Sequence, residues 1–505
     1  MNMKNIYMFI LRTAVYAAVG IQLVSCLEKY PGDYIPEEDA MQTYDEAEQT
    51  VTGIYTMLRS NSLYSGYLTL LPDIQADLVY AVEGNTNTYG QYWLWDIRPT
   101  NSEIEAVYAG LYSVIGSCNF FLDKVVELRK SLTDDEKITS LDLLTGEVHA
   151  ARALSYLELL KMYCKPYDPA SAEDEMGVVL RTSYFKKENI ERADLKKSYE
   201  FVLSELGKAE ELLDEEYDGY NAPLFTHAAV KAVQARTALY MQDWDKAIEY
   251  SSELIDSETF TLSPVTSYAT DSQTWFDYLW TNDYGPEVIL RLGCTPTSYG
   301  GALGKVFLNF TNNYQYYYPD YVPAQWVLDL YSSSDYRKRA YFYEITTGYA
   351  HQLTWPLLVK YHGNETMISA YIYHVCMPKP LRLAEQYLIR AEAYCNKGEY
   401  GRASADLTAL RKARFISGGS ITLTEKNWQQ AISDERVREL YMEGFRLHDL
   451  KRWGWVEGFE REPQTSSQAE GSSIKIKKGD YRFVWPIPKH EIEAPGSRIK
   501  QNENY

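Results

Sequence analysis

Residues 435–454, E-R-V-R-E-L-Y-M-E-G-F-R-L-H-D-L-K-R-W-G, constrain the fold of this chain more than any other stretch. Apolar residues recur there at three- and four-residue spacing, which predicts one amphipathic helix. This apolar stripe consists of Val437, Leu440, Tyr441, Gly444, Phe445, Leu447, Leu450 and Trp453. Most other positions are charged, and four of the charges have the spacing at which side chains pair along a helix: Glu439, Glu443, Arg446 and Asp449. The stretch predicts a salt-bridged helix with one face against a core.

Three further segments have a helical period. We predict helices over residues 45–60, 104–128 and 134–164, and the apolar period of the last is continuous over residues 143–163. Pro166 and Pro169 follow that segment and end the helix.

Two later segments resemble each other at a constant offset of 156 residues. The positions that correspond are Ala235, Trp244 and Ala247 in the first segment and Ala391, Tyr400 and Ala403 in the second. Small residues where two helices cross, a short turn, an aromatic residue and an alanine on the return helix are typical of tetratricopeptide-like hairpins. Together these segments predict a mainly α fold. Because the spacing between hairpins is irregular, we predict an interrupted helical-repeat scaffold and not a regular solenoid.

Two regions break the helical pattern. Residues 258–380 are rich in glycine and proline and interleave these with many tyrosines and tryptophans, so we predict a loop-rich insert with short strands that packs on the scaffold. Residues 72–101 have loop chemistry around Gly84 and Gly90, and here we expect exposed aromatic side chains.

The N-terminus has the features of a bacterial lipoprotein signal peptide over residues 1–25. Lys4 and Arg12 give it a positive start, an apolar run follows, and the sequence L-V-S-C resembles a lipoprotein cleavage box. The uncharged run is shorter than the roughly 20 residues that cross a bilayer, so a retained membrane helix is the weaker alternative. Cys26 would then be the lipidated first residue, residues 26–44 would form a tether, and residues 45–505 a single domain.

Composition excludes several classes of protein. The net charge of −20 repels phosphate at long range, which argues against a general affinity for nucleic acid or anionic lipid. The five remaining cysteines are dispersed without a C-x-x-C pair, and the histidines lack metal-ligand spacing, so we predict no disulfide framework and no metal site. No catalytic or nucleotide-binding motif is present, and we predict a protein that is not an enzyme and needs no cofactor.

Three motifs resemble one known family. The pattern R-x-E-L-x-x-E-G-x-R-x-x-D-L-x-R-W-G covers residues 436–454, G-E-x-x-x-x-R-A covers residues 146–153, and the tail carries a P-I-P motif and a closing Gln501, Asn502 and Tyr505. His448 departs from the aromatic residue usual at its position. Through these motifs the chain resembles the SusD/RagB family of outer-membrane lipoproteins over nearly its whole length.

The resemblance implies a function and a location. It implies a SusD-like fold and a lipid-anchored, surface-exposed protein of the outer membrane that captures oligosaccharides. The partner it implies is a SusC-like TonB-dependent transporter, to which the oligosaccharide would be delivered. Ligand contacts of the family lie in variable loops, so the motifs themselves identify no binding residue.

Candidate binding residues therefore come from loop composition. Sugar rings present C–H faces that stack on indole and phenol rings, while their hydroxyls hydrogen-bond to amide, carboxylate and guanidinium groups. Two loops offer this mixture, and from them we predict Trp93, Trp95, Arg98, Asn101, Trp275, Trp280 and Tyr284 as ligand-binding residues.

Three alternatives remain open at this point. The same architecture could take up peptides, as partners of the RagB type do. It could instead be a helical-repeat docking scaffold that binds no nutrient. A glycan hydrolase would need two carboxylates roughly 5 to 10 Å apart astride an aromatic cleft.

Overall fold

The computed structural model describes residues 40–186, 190–310, 316–461, 469 and 473–505. The predicted signal peptide, Cys26 and the tether up to residue 39 lie outside the described residues. None of the helices that the structure describes has both the length and the apolar composition needed to span a membrane.

Helices make up most of the regular structure, and the strands are short. The helices are α1 Tyr44–Leu58, α2 Tyr67–Gln75, α3 Gly90–Trp93, α4 Ser102–Ser131, α5 Asp135–Tyr163, α6 Leu195–Leu212, α7 His227–Met241, α8 Trp244–Ile255, α9 Trp275–Thr281, α10 Lys305–Leu308, α11 Gln325–Asp329, α12 Arg337–Tyr341, α13 Glu365–Ser369, α14 Leu383–Asn396, α15 Tyr400–Lys412, α16 Trp428–Leu440, α17 Arg446–Arg452 and α18 Lys489–Glu493. The strands are β1 Val79–Ala81, β2 Met176–Val179, β3 Arg192–Asp194, β4 Val288–Leu290, β5 Tyr321–Pro323, β6 Phe342–Thr346, β7 Thr354–Leu358, β8 Leu381–Arg382, β9 Gly458–Arg461 and β10 Ile474–Lys477. This confirms the mainly α fold class.

The three predicted N-terminal helices are confirmed as α1, α4 and α5. Thr43 begins α1 with a capping box, in which its hydroxyl accepts the Glu46 N–H and the Glu46 side chain accepts the Thr43 N–H. Helix α5 packs against α4 and α6, and its second half is buried on all sides, which agrees with the dense apolar run over residues 143–163.

Both predicted hairpins are present. Helices α7 and α8 form the first, with Gln242 in the left-handed conformation at the turn (φ 61°), and α14 and α15 form the second. Ala235, Ala247 and Ala403 are fully buried, as expected for small residues where helices cross. Helix α8 also packs against α14, so the two hairpins lie side by side in a tetratricopeptide-like arrangement.

The described residues between 258 and 380 form loops, short helices and short strands. The strands of the molecule pair antiparallel as β1 with β5, β2 with β3, β4 with β8, β6 with β7 and β9 with β10. Residues of this region share a core with β1, Trp93 and Tyr441. The insert is therefore packed on the scaffold by a substantial apolar interface.

The prediction of one helix over residues 435–454 is wrong. Helix α16 ends at Leu440 and α17 begins at Arg446, and between them Met442 (φ 58°) and Gly444 (φ 84°) adopt left-handed conformations. The backbone N–H groups of Gly444 and Arg446 donate to the Asp73 carboxylate, at 3.1 and 2.8 Å. The motif therefore contains a break between two helices, and the Asp73 carboxylate stabilises this break by accepting hydrogen bonds from its backbone.

The prediction that Glu439, Glu443, Arg446 and Asp449 pair with one another along this segment is also wrong, because each of them binds other side chains. Glu439 is fully buried and accepts hydrogen bonds from Arg337 (3.0 Å), Arg382 (3.0 Å) and Arg414 (2.9 Å). Arg382 and Arg414 also pair with the buried Glu287, at 2.6 and 2.8 Å. We call Glu287, Arg337, Arg382, Arg414 and Glu439 the buried charge cluster.

The C-terminal tail folds back onto the first half of the chain. Trp485 is fully buried, and its indole N–H donates to Gln75 Oε1 at 2.8 Å. The Asn502 amide donates to the carbonyl oxygens of Tyr163 (2.9 Å) and Trp485 (2.7 Å). The tail motif thus closes the end of α5.

Acid is expected to destabilise this fold through Glu205. Burial alone would raise the pKa of this carboxyl, but the hydrogen bond with His149 and the charge of Arg152 lower it to about 2. Since the ordinary value is 4.5, the stabilisation is present above pH 4.5 and is lost as pH falls toward 2. Urea unfolding at pH 7, 4.5 and 3 should show this loss, worth about 3 kcal/mol in full, and Glu205→Gln should flatten it. Parallel pH profiles for the two proteins would contradict the assignment.

Candidate functional site

A row of aromatic side chains starts on helix α9. Thr274 and Asp277 form a capping box at its first turn: the Thr274 hydroxyl accepts the Asp277 N–H and the Asp277 carboxylate accepts the Thr274 N–H, each at 3.1 Å. Residues three apart share a helix face, so Trp275 and Tyr278 lie side by side with ring centroids 6.1 Å apart. The cap fixes where the helix starts and hence where these two rings point.

The row continues through two more tyrosines. Tyr284 lies 6.2 Å from Tyr278 and 6.0 Å from Tyr220, and both contacts are edge-to-face. Tyr220 is 44% exposed and the other three rings are half-buried. We call Trp275, Tyr278, Tyr284 and Tyr220 the aromatic array. Each ring supports its neighbour in a geometry that aromatic quadrupoles favour, which holds the row in place.

Polar groups accompany the array. The Arg291 guanidinium lies 5.8 Å from the Tyr284 ring centroid, and its Nε atom is buried without a hydrogen-bond partner. The Gln273 amide donates to Thr281 Oγ1 at 3.1 Å. Burial and the neighbouring Tyr220 raise the pKa of Tyr284, so its hydroxyl stays neutral and can both donate and accept at physiological pH. The rings of the array can stack on apolar faces of a ligand, and the polar groups beside them can hydrogen-bond to its hydroxyl groups.

Two of the predicted binding residues, Trp275 and Tyr284, lie together in this array, while three others have packing positions. Trp93 and Trp95 are 2% and 1% exposed, and their indole N–H groups donate to the carbonyl oxygens of Val79 and Gln75. Trp280 is 5% exposed, with the Lys360 ammonium 4.0 Å from its ring centroid. The expectation that Trp93 and Trp95 are exposed on a loop is wrong, and Trp280 is also buried, within helix α9.

Arg98 and Asn101 are at the surface but apart from the array. Arg98 Nε donates to Asp96 Oδ1 at 2.7 Å, and Asn101 Oδ1 accepts the Arg98 N–H at 2.6 Å. These contacts close the turn before α4. The described contacts link neither residue to the aromatic array.

Sequence reasoning missed two members of the array. Tyr278 could have been found from its three-residue spacing to Trp275 if this segment had been predicted as a helix and not as a loop. Tyr220 carries no local signal, because it reaches Tyr284 only through the fold. Among the described residues, no group of three or more histidine, cysteine, aspartate or glutamate side chains is arranged to hold a metal ion.

Comparison with known proteins decides the family. The model of the SusD family matches residues 305–505, and a second family model, described as starch-binding associating with outer membrane, matches residues 33–239. The chain belongs to the SusD family.

Similarity to individual SusD-like proteins extends over almost the whole chain. It is 22% identical to SusD-like protein P25 of Formosa agariphila, over 95% of this chain and 96% of that protein. A SusD superfamily crystal structure from Bacteroides thetaiotaomicron superposes with a TM-score of 0.76 at 22% identity, covering 92% of this chain and all of that one. A solved laminarin-binding SusD-like protein superposes with a TM-score of 0.68 at 21% identity, covering 92% and 100%.

Proposed function

We propose that this protein is a cell-surface lipoprotein that captures oligosaccharides and delivers them to a SusC-like TonB-dependent transporter in the outer membrane. As a SusD family member it binds carbohydrate and catalyses no reaction. Cys26 carries the lipid after removal of residues 1–25, and the residues between Cys26 and the start of helix α1 tether the domain to the membrane. The starch-binding and laminarin-binding descriptions among its relatives support a glycan as the cargo.

The aromatic array is the observation that carries this proposal. Four aromatic rings, one exposed and three half-buried, contact one another in sequence, and the Arg291 guanidinium lies beside Tyr284. An array of this length suits an extended chain of sugar rings better than one compact ligand, because sugar rings can stack at more than one place along it. Of the predicted residues, Trp275 and Tyr284 are the ones we propose to contact it.

Replacing Trp275 by alanine is expected to weaken glycan binding about tenfold, or roughly 1.4 kcal/mol, because one stacking platform is lost. Calorimetric titration of the chain lacking residues 1–26 with a panel of oligosaccharides measures this, and a peptide digest tests the other cargo. Tyr343→Ala is the matched control, since Tyr343 is 67% exposed on the β6–β7 hairpin and outside the array.

The outcomes separate the alternatives. An equal loss for the two variants would contradict the role of the array. Saturable binding of peptides alone would overturn the glycan as cargo. If neither a glycan nor a peptide binds, a docking scaffold is the better hypothesis.

A further inference from the structure

One end of the aromatic array opens into a pocket of about 360 Å³. Tyr220 belongs to both the array and the pocket wall, so the array and the pocket are adjacent. Apolar side chains of Leu143, Leu213 and Leu224 form much of the wall. Tyr217, which is 58% exposed, adds a second aromatic ring.

The pocket contains a buried carboxyl group without a counter-ion. Glu147 is 6% exposed, and its Oε2 accepts one hydrogen bond, from the Tyr55 hydroxyl at 2.7 Å. The Tyr55 hydroxyl itself accepts the Phe225 N–H, also at 2.7 Å. None of the ion pairs of the described part of the chain includes Glu147. Burial raises the pKa of Glu147 to about 7, which is the behaviour of a carboxylate that lacks a cation.

The remaining ionisable and polar groups of the pocket also favour a cationic ligand. Asp214 is the other ionisable carboxyl on the wall, and the wall includes no lysine, arginine or histidine. Asn221 is 6% exposed, and its Nδ2 is buried without a hydrogen-bond partner, while its Oδ1 accepts the Gly285 N–H at 2.9 Å. The pocket therefore offers a carboxylate, aromatic faces and a free amide donor.

We infer that this pocket binds the protonated amine of an amino sugar at one end of the captured glycan. The ammonium would supply the counter-ion that Glu147 lacks and lie near the faces of Tyr217 and Tyr220, which attract cations. Asn221 Nδ2 would donate to a hydroxyl or ring oxygen of the same sugar. The inference rests on the proposed function, because the array is taken to hold the rest of the oligosaccharide.

The test compares two ligands that share one sugar backbone, of which one carries free amines that can be protonated and the other carries neutral acetylated nitrogens. The full chain in detergent is titrated calorimetrically at pH 7 with a tetramer of glucosamine and with a tetramer of N-acetylglucosamine. The wild type is expected to prefer the glucosamine tetramer at least tenfold. Glu147→Gln keeps the shape and an acceptor for the Tyr55 hydroxyl, and it should reduce this preference to threefold or less. Glu249→Gln, on an exposed pair with Lys246, should keep the preference.

Each other result overturns the inference. Equal affinity of the wild type for the two tetramers would remove the amine subsite but leave glycan capture standing. An unchanged preference in a folded Glu147→Gln variant would exclude Glu147 as the partner of the amine. Stronger binding of a lysine peptide than of the glucosamine tetramer would assign the amine to a peptide. Absence of binding by every glycan would reject this subsite together with the proposed function.

Discussion

The Glu439→Gln variant is expected to lose about 4 kcal/mol of folding stability. Its carboxylate is fully buried and binds three guanidinium groups, those of Arg337, Arg382 and Arg414. Removing the charge leaves three buried cations with one counter-ion fewer, and the low dielectric of the core makes each uncompensated charge costly. Since domains of ordinary stability unfold at a cost of about 5 to 15 kcal/mol, this loss removes a large part of the folding stability.

Urea unfolding followed by tryptophan fluorescence measures this loss. The matched control is Glu249→Gln, because Glu249 makes the same kind of bond, to Lys246, with half of its side chain exposed. Its unfolding midpoint should stay within error of the parent protein. A Glu439→Gln midpoint as high as that of the control would contradict the structural role of the buried charge cluster.

The Gly444→Ala variant is expected to lose about 3 to 4 kcal/mol of folding stability. Gly444 has a φ of 84°, which alanine adopts only with strain, and a Cβ atom there would overlap the carbonyl oxygen of Leu68. The neighbouring backbone cannot yield easily, because the Asp73 carboxylate holds the N–H groups of Gly444 and Arg446. The break between α16 and α17 would have to open.

Gly207→Ala provides the comparison for this variant. Gly207 lies inside α6, and a Cβ atom there meets no heavy atom within 4 Å. Alanine is the better helix former, so this change should raise stability by about 0.5 to 1 kcal/mol. Thermal unfolding of both variants separates the effects. A stable Gly444→Ala protein would show that the turn can be rebuilt without a glycine.

Local periodicity in the sequence was enough to predict the helical scaffold. Helix α5 follows from the apolar spacing over residues 143–163, and the two hairpins follow from small residues at matching positions. The burial of Trp93 could not be predicted in this way. It depends on the core that β1 shares with β5, whose residues lie more than 200 positions further along the chain.

The charges of residues 435–454 show a second limit of prediction from sequence. A pattern of glutamates and arginines on a helix is typical of a solvated face, and here most of these side chains are buried. Their partners include Arg337, Arg382 and Arg414, which come from separate parts of the chain and have no common sequence spacing. The aromatic array shows the same limit. The sequence singled out Trp275 and Tyr284, but it gave no signal for Tyr220, which meets Tyr284 only through the fold.

The returning tail determines when the chain can complete its fold. The bond between Trp485 and Gln75 joins residues 410 positions apart, and the bond between Asn502 and Tyr163 joins residues 339 positions apart. Loops of this length must be closed before their contacts contribute any stability. The N-terminal helices therefore lack their last neighbour until the final residues of the chain have emerged. The fold is therefore completed only when the C-terminal tail is available to pack on the N-terminal helices. A chain that ends before residue 485 leaves an open groove along α5.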